Sequence, residues 1–194
     1  MLQLITALGL KKIEHRELVT ELEKLLKLEV EVDSFNNIPH SFRDFPLLKV
    51  QLEELLLEHS LQLSNEPDTR NSNYYQANVI GQGAFELQRH TASVNEHTDD
   101  IVRSRFFGLY VIATETPDNM TDRRRRYFDN RTELRYFTPG GTKVKQRLEA
   151  GTLLIFNPRR NHELVFYGYH TTYMIFDVVR KKHEQEKTTG SRAG

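Results

Sequence analysis

The chain of 194 residues contains no cysteine. That absence excludes a disulfide scaffold, a zinc ribbon, an iron–sulfur centre and a thiol nucleophile, so any metal must be held by histidine, carboxylate or water. Neither sign of charge is in excess, with 27 Lys and Arg against 27 Asp and Glu. A balanced chain does not grip nucleic acid or an acidic membrane by bulk charge, and only local basic patches are left to do so. Long hydrophobic runs are missing too. The apolar opening, residues 1–10, is followed rather than preceded by Lys11 and Lys12 and is too short to span a bilayer. It therefore reads as neither a secretory signal nor an anchor, and the expected setting is soluble and cytoplasmic, with no membrane. Gly81-Gln82-Gly83 lacks the third glycine and the strand-to-helix setting of a dinucleotide loop. No Walker motif, Gly-x-Ser-x-Gly elbow or His-Glu-x-x-His is present.

A hydrophobic fraction of 38% and a charged fraction of 28% supply one core, and the length suits one domain. Leu18, Leu22, Leu25 and Leu26 recur at helical spacing, as do Leu48, Leu52, Leu55 and Leu56. Both stripes predict helices laid on a core, the second started by Asp44 as cap ahead of Pro46. Beyond Ser64 the apolar residues come in short runs broken by Gly, Pro and Asn. Strands are predicted at 78–80, 84–89, 106–114, 134–137, 151–156, 162–166 and 171–179, the pattern of a β sandwich or barrel. The expected organisation is a helical segment at 1–73, a β core at 74–180 and a polar, fraying tail at 181–194. The fold class is mainly β with N-terminal helices.

The residues that carry chemistry are His97, Asp99 and His162. In an extended segment His97 and Asp99 point to one face, because side chains alternate with period two. A histidine and a carboxylate so placed occupy adjacent positions around a metal, and His162 at the start of a later strand supplies a third. Two histidines and one carboxylate are the facial set suited to non-haem Fe(II), with positions left open for substrate and oxygen. The competing reading of 95–100 is a polar surface turn.

The surroundings add to this. The run Leu148-Glu149-Ala150-Gly151-Thr152-Leu153-Leu154-Ile155-Phe156-Asn157-Pro158 leads to His162, and Thr132-Glu133-Leu134-Arg135-Tyr136-Phe137 precedes a Gly140-Gly141 turn. Over residues 78–179 this order resembles the Fe(II)/2-oxoglutarate-dependent oxygenases, most closely their prolyl-hydroxylase-like branch. The resemblance implies a double-stranded β-helix (jelly-roll, cupin-like) core with iron on His97, Asp99 and His162. It implies 2-oxoglutarate and O2 as co-substrates, and hydroxylation of an unactivated C–H in an amino-acid, peptidyl or similar small substrate. The family's basic anchor for the far carboxylate of 2-oxoglutarate follows a Gly-x pair on the next strand. This chain has Gly168-Tyr169-His170-Thr171-Thr172 there, without Arg or Lys. His170 is the aligned candidate if the turn is two residues shorter, Thr172 adds a hydroxyl, and Arg103, Arg105 and Arg180 are stand-ins from elsewhere.

The run Arg123 to Arg126 reads as a loop between strands, either solvated or a lid whose Arg124 and Arg125 clasp an acidic substrate, with Arg159 and Arg160 extending the positive rim. Tyr74, Tyr75, Tyr110, Tyr136 and Tyr167 line a pocket or pack. His15, His40, His59, His90 and His183 read as structural or exposed. Two alternatives stand beside the hydroxylase: a non-catalytic cupin-like module binding a metal or small ligand, and an oxygenase acting on nucleic acid through the arginine run.

Overall fold

The structure is a computed structural model, and it describes residues 16–34, 39–64, 83–98, 105–128, 132–138 and 140–181. The strand expected at 78–80, Asp99, Arg103, Tyr74, Tyr75, His15, His183 and the tail beyond residue 181 lie outside the described residues.

Both leucine stripes form helices, α1 (Arg16–Leu26) and α2 (Pro46–Leu57). Leu18 and Leu25 of α1 and Leu48, Leu52, Leu55 and Leu56 of α2 are buried in one cluster, each burial contributing roughly 1.5–3 kcal/mol. Asp44 does not cap α2. It ends a 3-10 turn, Phe42–Asp44, and the N-cap position falls on Phe45, which makes no side-chain cap bond. The first amides of α2 are satisfied from another helix instead: Leu47 and Leu48 donate their N–H groups to the Glu21 carboxylate of α1, at 3.2 and 2.8 Å.

Among the described residues there are ten strands: β1 (His40–Ser41), β2 (Leu61–Leu63), β3 (Ala84–His90), β4 (Val94–His97), β5 (Arg105–Glu115), β6 (Glu133–Phe137), β7 (Lys143–Arg147), β8 (Leu153–Phe156), β9 (His162–Val165) and β10 (His170–Arg180). The last eight make two antiparallel sheets, β3-β10-β5-β8 and β4-β9-β6-β7, with β1 added beside β3 and β2 beside β10. The chain passes repeatedly from one sheet to the other, and this strand order is that of a double-stranded β-helix. β4 and β7 escaped the sequence pattern because Val-Asn-Glu-His and Lys-Val-Lys-Gln-Arg carry almost no apolar alternation.

Alternation along the strands divides the core. Phe85, Leu87, Tyr110, Leu153, Ile155, Met174, Phe176 and Val178 face the helices. Leu109, Val111, Leu134, Leu154, Phe156, Leu164 and Tyr173 fill the space between the sheets. A register shift between β10 and β5 at Thr172/Tyr173 adjusts the phase of β5 near its end. The four-arginine run is not a loop: it forms a short helix, α3 (Asp122–Phe128). Among the described residues no helix is long and apolar enough to cross a membrane.

Candidate metal centre

His97 ends β4 and His162 opens β9, and the two are register partners. His162 is in turn opposite Tyr136 on β6, and Tyr136 opposite Val144 on β7. One row thus crosses the inner face of the four-stranded sheet from His97 to Val144. The imidazole centroids of His97 and His162 are 4.3 Å apart, with planes 51° to each other.

Both rings are oriented in the same way. His97 Nδ1 is 2.7 Å from the Asn95 carbonyl oxygen and His162 Nδ1 is 2.8 Å from that of Arg160. A carbonyl only accepts, so in each ring Nδ1 carries the proton and the neutral tautomer has its lone pair on Nε2. Fixing a histidine through its other nitrogen is how metal ligands are held in orientation. Asn161 Nδ2 also donates to Glu96 Oε1 at 2.9 Å, tying the turn before β9 to β4 beside the pair. Phe156 of β8 meets the His162 ring at 5.1 Å and Phe107 of β5 meets Phe156 at 6.0 Å. His162 is 3% exposed, whereas His97 is half-buried. Burial raises the Tyr136 phenol pKa, so the third member of the row stays uncharged. Among the described residues no cluster of three metal-ligating side chains occurs, and Asp99 is outside them. The donor set present, two tautomer-fixed imidazoles side by side, fits a borderline metal such as Fe(II).

The remaining candidates are distributed more widely. Thr172 shares a face of β10 with Met174 and Phe176, and its hydroxyl accepts from Arg89 Nε at 3.2 Å. Arg89 Nη2 donates on to the Leu26 carbonyl of α1, so this face of the sheet looks at the helices. Alternation puts His170 on the same face, opposite Glu115 and half-buried. Arg180, exposed, ends β10 opposite Leu61, and the backbone of Arg105 pairs with Val179. Arg159 and Arg160 are exposed in the turn that delivers His162. Arg124 and Arg125 lie at the other end of the β-helix. There the guanidinium of Arg124 covers the β9–β10 turn, where a Cβ on Gly168 (φ +86°) would come within 3.1 Å of its Nη2. Tyr110 packs on the helix side, and Tyr167 accepts a hydrogen bond from Arg135 outside the barrel.

Inward polar residues that the sequence pattern did not single out are Glu86, Gln88 and His90 on β3, Thr114 on β5, and Thr171 and Tyr173 on β10. Their signal was strand alternation, legible only once the inward phase of each strand was known.

No family model matches the chain, and no curated protein matches it. Among solved structures it is similar to a prolyl-4-hydroxylase from Pseudomonas putida, at 14% identity and a TM-score of 0.40, over 71% of this chain and 62% of that one. It is similar to a prolyl hydroxylase from Trichoplax adhaerens solved with a hypoxia inducible factor oxygen degradation domain peptide fragment, at 13% identity and a TM-score of 0.44, over 84% and 77% of the two chains. A non-heme monooxygenase in complex with nickel is similar at 13% identity and a TM-score of 0.44, over 92% and 72%. The chain thus spans less than two thirds of the Pseudomonas protein.

Proposed function

We propose that this chain is an Fe(II)-dependent oxygenase that uses O2 and a 2-oxo acid to hydroxylate a C–H bond in an amino-acid, peptidyl or similar small substrate. The observation that carries the reading is the pairing of His97 with His162, each ring fixed by a backbone carbonyl on Nδ1. His97 and His162 would hold iron through Nε2, with Asp99, two residues past His97, as the carboxylate. Iron bound there supplies O2 activation, with electrons taken from decarboxylation of the 2-oxo acid; 2-oxoglutarate is the one that the sequence resemblance implies.

The chain's own contributions are positional. The Asn95 and Arg160 carbonyls hold both imidazoles in the ligating tautomer, so no proton has to leave Nε2 on metal binding. Phe156 and Phe107 cover one side of His162 and keep water from it. Arg159 and Arg160, exposed beside the pair, offer guanidinium groups to a carboxylate on an incoming substrate.

The test is an anaerobic titration of metal-free protein with Fe(II), followed by millimolar 2-oxoglutarate and, separately, 2-oxopentanoate. One Fe(II) per chain and a visible charge-transfer band with at least one 2-oxo acid are expected, both abolished in His97→Ala and His162→Ala. Fe(II) binding that survives both substitutions would refute the site. Iron bound without a band would favour the cupin-like metal-binding module, which draws on the lack of Lys and Arg at inward positions of β3 and β10.

A further inference from the structure

Away from the histidine pair, the inner face of the larger sheet is polar. His90 on β3 is opposite Thr171 on β10, and Thr171 is opposite Thr114 on β5, one row across three strands. Tyr173 comes next on the inward face of β10, opposite Gln88. Further along that face stands Asp177, opposite Phe107, whose ring leads through Phe156 to His162. Tyr173 therefore stands between the threonine row and the candidate metal centre.

Thr171 and Tyr173 are fully buried at 0% exposure. The hydroxyls of Thr114, Thr171 and Tyr173 have no hydrogen-bond partner among the described residues. A buried hydroxyl left unpaired costs about 1–3 kcal/mol. Three of them at one end of one face mark a place for a hydrogen-bonding partner that the described residues do not supply.

The neighbours decide what that group is. Gln88 Nε2 donates to Glu86 Oε2 at 3.0 Å, which turns Gln88 Oε1 toward His90 Nε2 at 3.3 Å, while His90 Nδ1 is 3.6 Å from Asp33 Oδ1. Phe166 stacks on both His90 and Tyr173, with centroids 5.7 and 6.0 Å away. Burial holds the His90 pKa below its ordinary value, against the opposing pull of Asp33, so the ring is neutral at pH 7. No Lys or Arg takes an inward position on β3 or β10 among the described residues, and the charged residues that do, Glu86 and Asp177, are acidic. Burial, and then the Glu86 carboxylate, raise the Tyr173 pKa, so its hydroxyl keeps its proton and can donate. A second carboxylate would find no Lys or Arg on the inward faces of β3 and β10, where Glu86 already stands, and the Arg124 guanidinium at this end lies over the β9–β10 turn.

Resting on the iron and 2-oxo-acid reading above, we infer that the co-substrate is a 2-oxo acid whose far end is an uncharged hydrogen-bond acceptor, received by the hydroxyls of Thr114, Thr171 and Tyr173. A dicarboxylate is the poorer ligand of this pocket.

The probes are 2-oxoglutarate, its 5-monomethyl ester, which keeps the length and removes the far charge, and 2-oxopentanoate, which lacks the far polar group. Each is titrated into the Fe(II) protein under argon by the charge-transfer band, and into the Mn(II) protein by thermal shift. The ester should bind at least tenfold more tightly than 2-oxoglutarate. Thr171→Val, nearly isosteric, should erase the preference for the ester over 2-oxopentanoate, and Thr171→Arg should reverse the order of ester and 2-oxoglutarate. Equal or tighter binding of 2-oxoglutarate by the wild type overturns the inference and leaves the oxygenase reading standing, as does an unchanged preference in Thr171→Val. Absence of a band and of a thermal shift with all three acids overturns the underlying reading and this inference together.

Discussion

Gly108 lies in β5 directly opposite Phe176 of β10, on the helix-facing side of the larger sheet. A Cβ at this position would fall against the edge of the Phe176 ring, 2.7 Å from Cζ and 2.8 Å from Cδ2, and nearer still to Cε2. Ordinary carbon contacts are about 3.5–4.0 Å, so the ring must move by roughly 1 Å. It has little room, being 3% exposed and edge-on to Phe42 at 5.6 Å. Overpacking of this kind costs about 1–3 kcal/mol, which for a domain of this size lowers Tm by about 2–12 °C. The opposing term is small: glycine in a strand is about 0.5–1 kcal/mol worse than alanine when nothing is in the way. Gly108→Ala is therefore expected to destabilise in urea unfolding. In a Phe176→Leu background, where the outer ring atoms are gone, the same change should become neutral or stabilising. A double-mutant cycle with coupling below about 0.5 kcal/mol, or a Gly108→Ala protein as stable as wild type, would refute the steric argument.

Glu21→Ala should lower stability by about 0.5–2 kcal/mol, because it removes the carboxylate that accepts from the first amides of α2; Glu21→Gln should lose less, and equal losses in urea melts would mean that the contact acts through packing alone. Fe(II) or Mn(II) at one hundred times its Kd should raise stability by about 2.7 kcal/mol in a thermal melt, reversed by EDTA and absent from His162→Ala. Burial lowers the folded pKa of His90, and likewise that of His40, so their contribution to stability is complete above the unfolded value of about 6.5 and is lost as pH falls through the folded values. Unfolding free energies should therefore decline below about pH 6.5, and His90→Gln should flatten that decline. Glu163, whose pKa is lowered first by its bond to Lys143 and then by Arg135, contributes above the unfolded value of about 4.3 and loses that contribution as pH falls through its folded value, so Glu163→Gln should blunt the acid limb there.

Much of the secondary structure is legible in the linear pattern. The leucine stripes specify α1 and α2, and the runs ending in Phe156 and Val179 specify β8 and β10, since apolar period and β-branched content are local properties. The arginine run misleads for a local reason as well: its flanking Pro117 to Thr121 reads as loop, and the seven-residue helix that follows has one acidic residue in its first turn to announce it. β4 and β7 are too polar to be seen, and they become strands because β9 and β6 supply their hydrogen-bond partners.

At the candidate site the sequence alone placed His162 at the start of a strand and marked His97 and His162 as chemically apt, while His97 was open to a turn as well as an extended reading. Their meeting across the β4–β9 ladder was decided by the tertiary structure, and so was the fixing of both rings by carbonyls two residues upstream. The same division holds on β10. A strand pattern gives Thr171 and Thr172 opposite faces but not which face is inward, because a one-residue change of phase exchanges them. Packing of Met174 and Phe176 against the helices sets that phase, sends Thr172 to Arg89 and leaves Thr171 facing the barrel. Local sequence determines period and propensity; register and facing are fixed by contacts between segments far apart in the chain, which exist only after the sheets have closed.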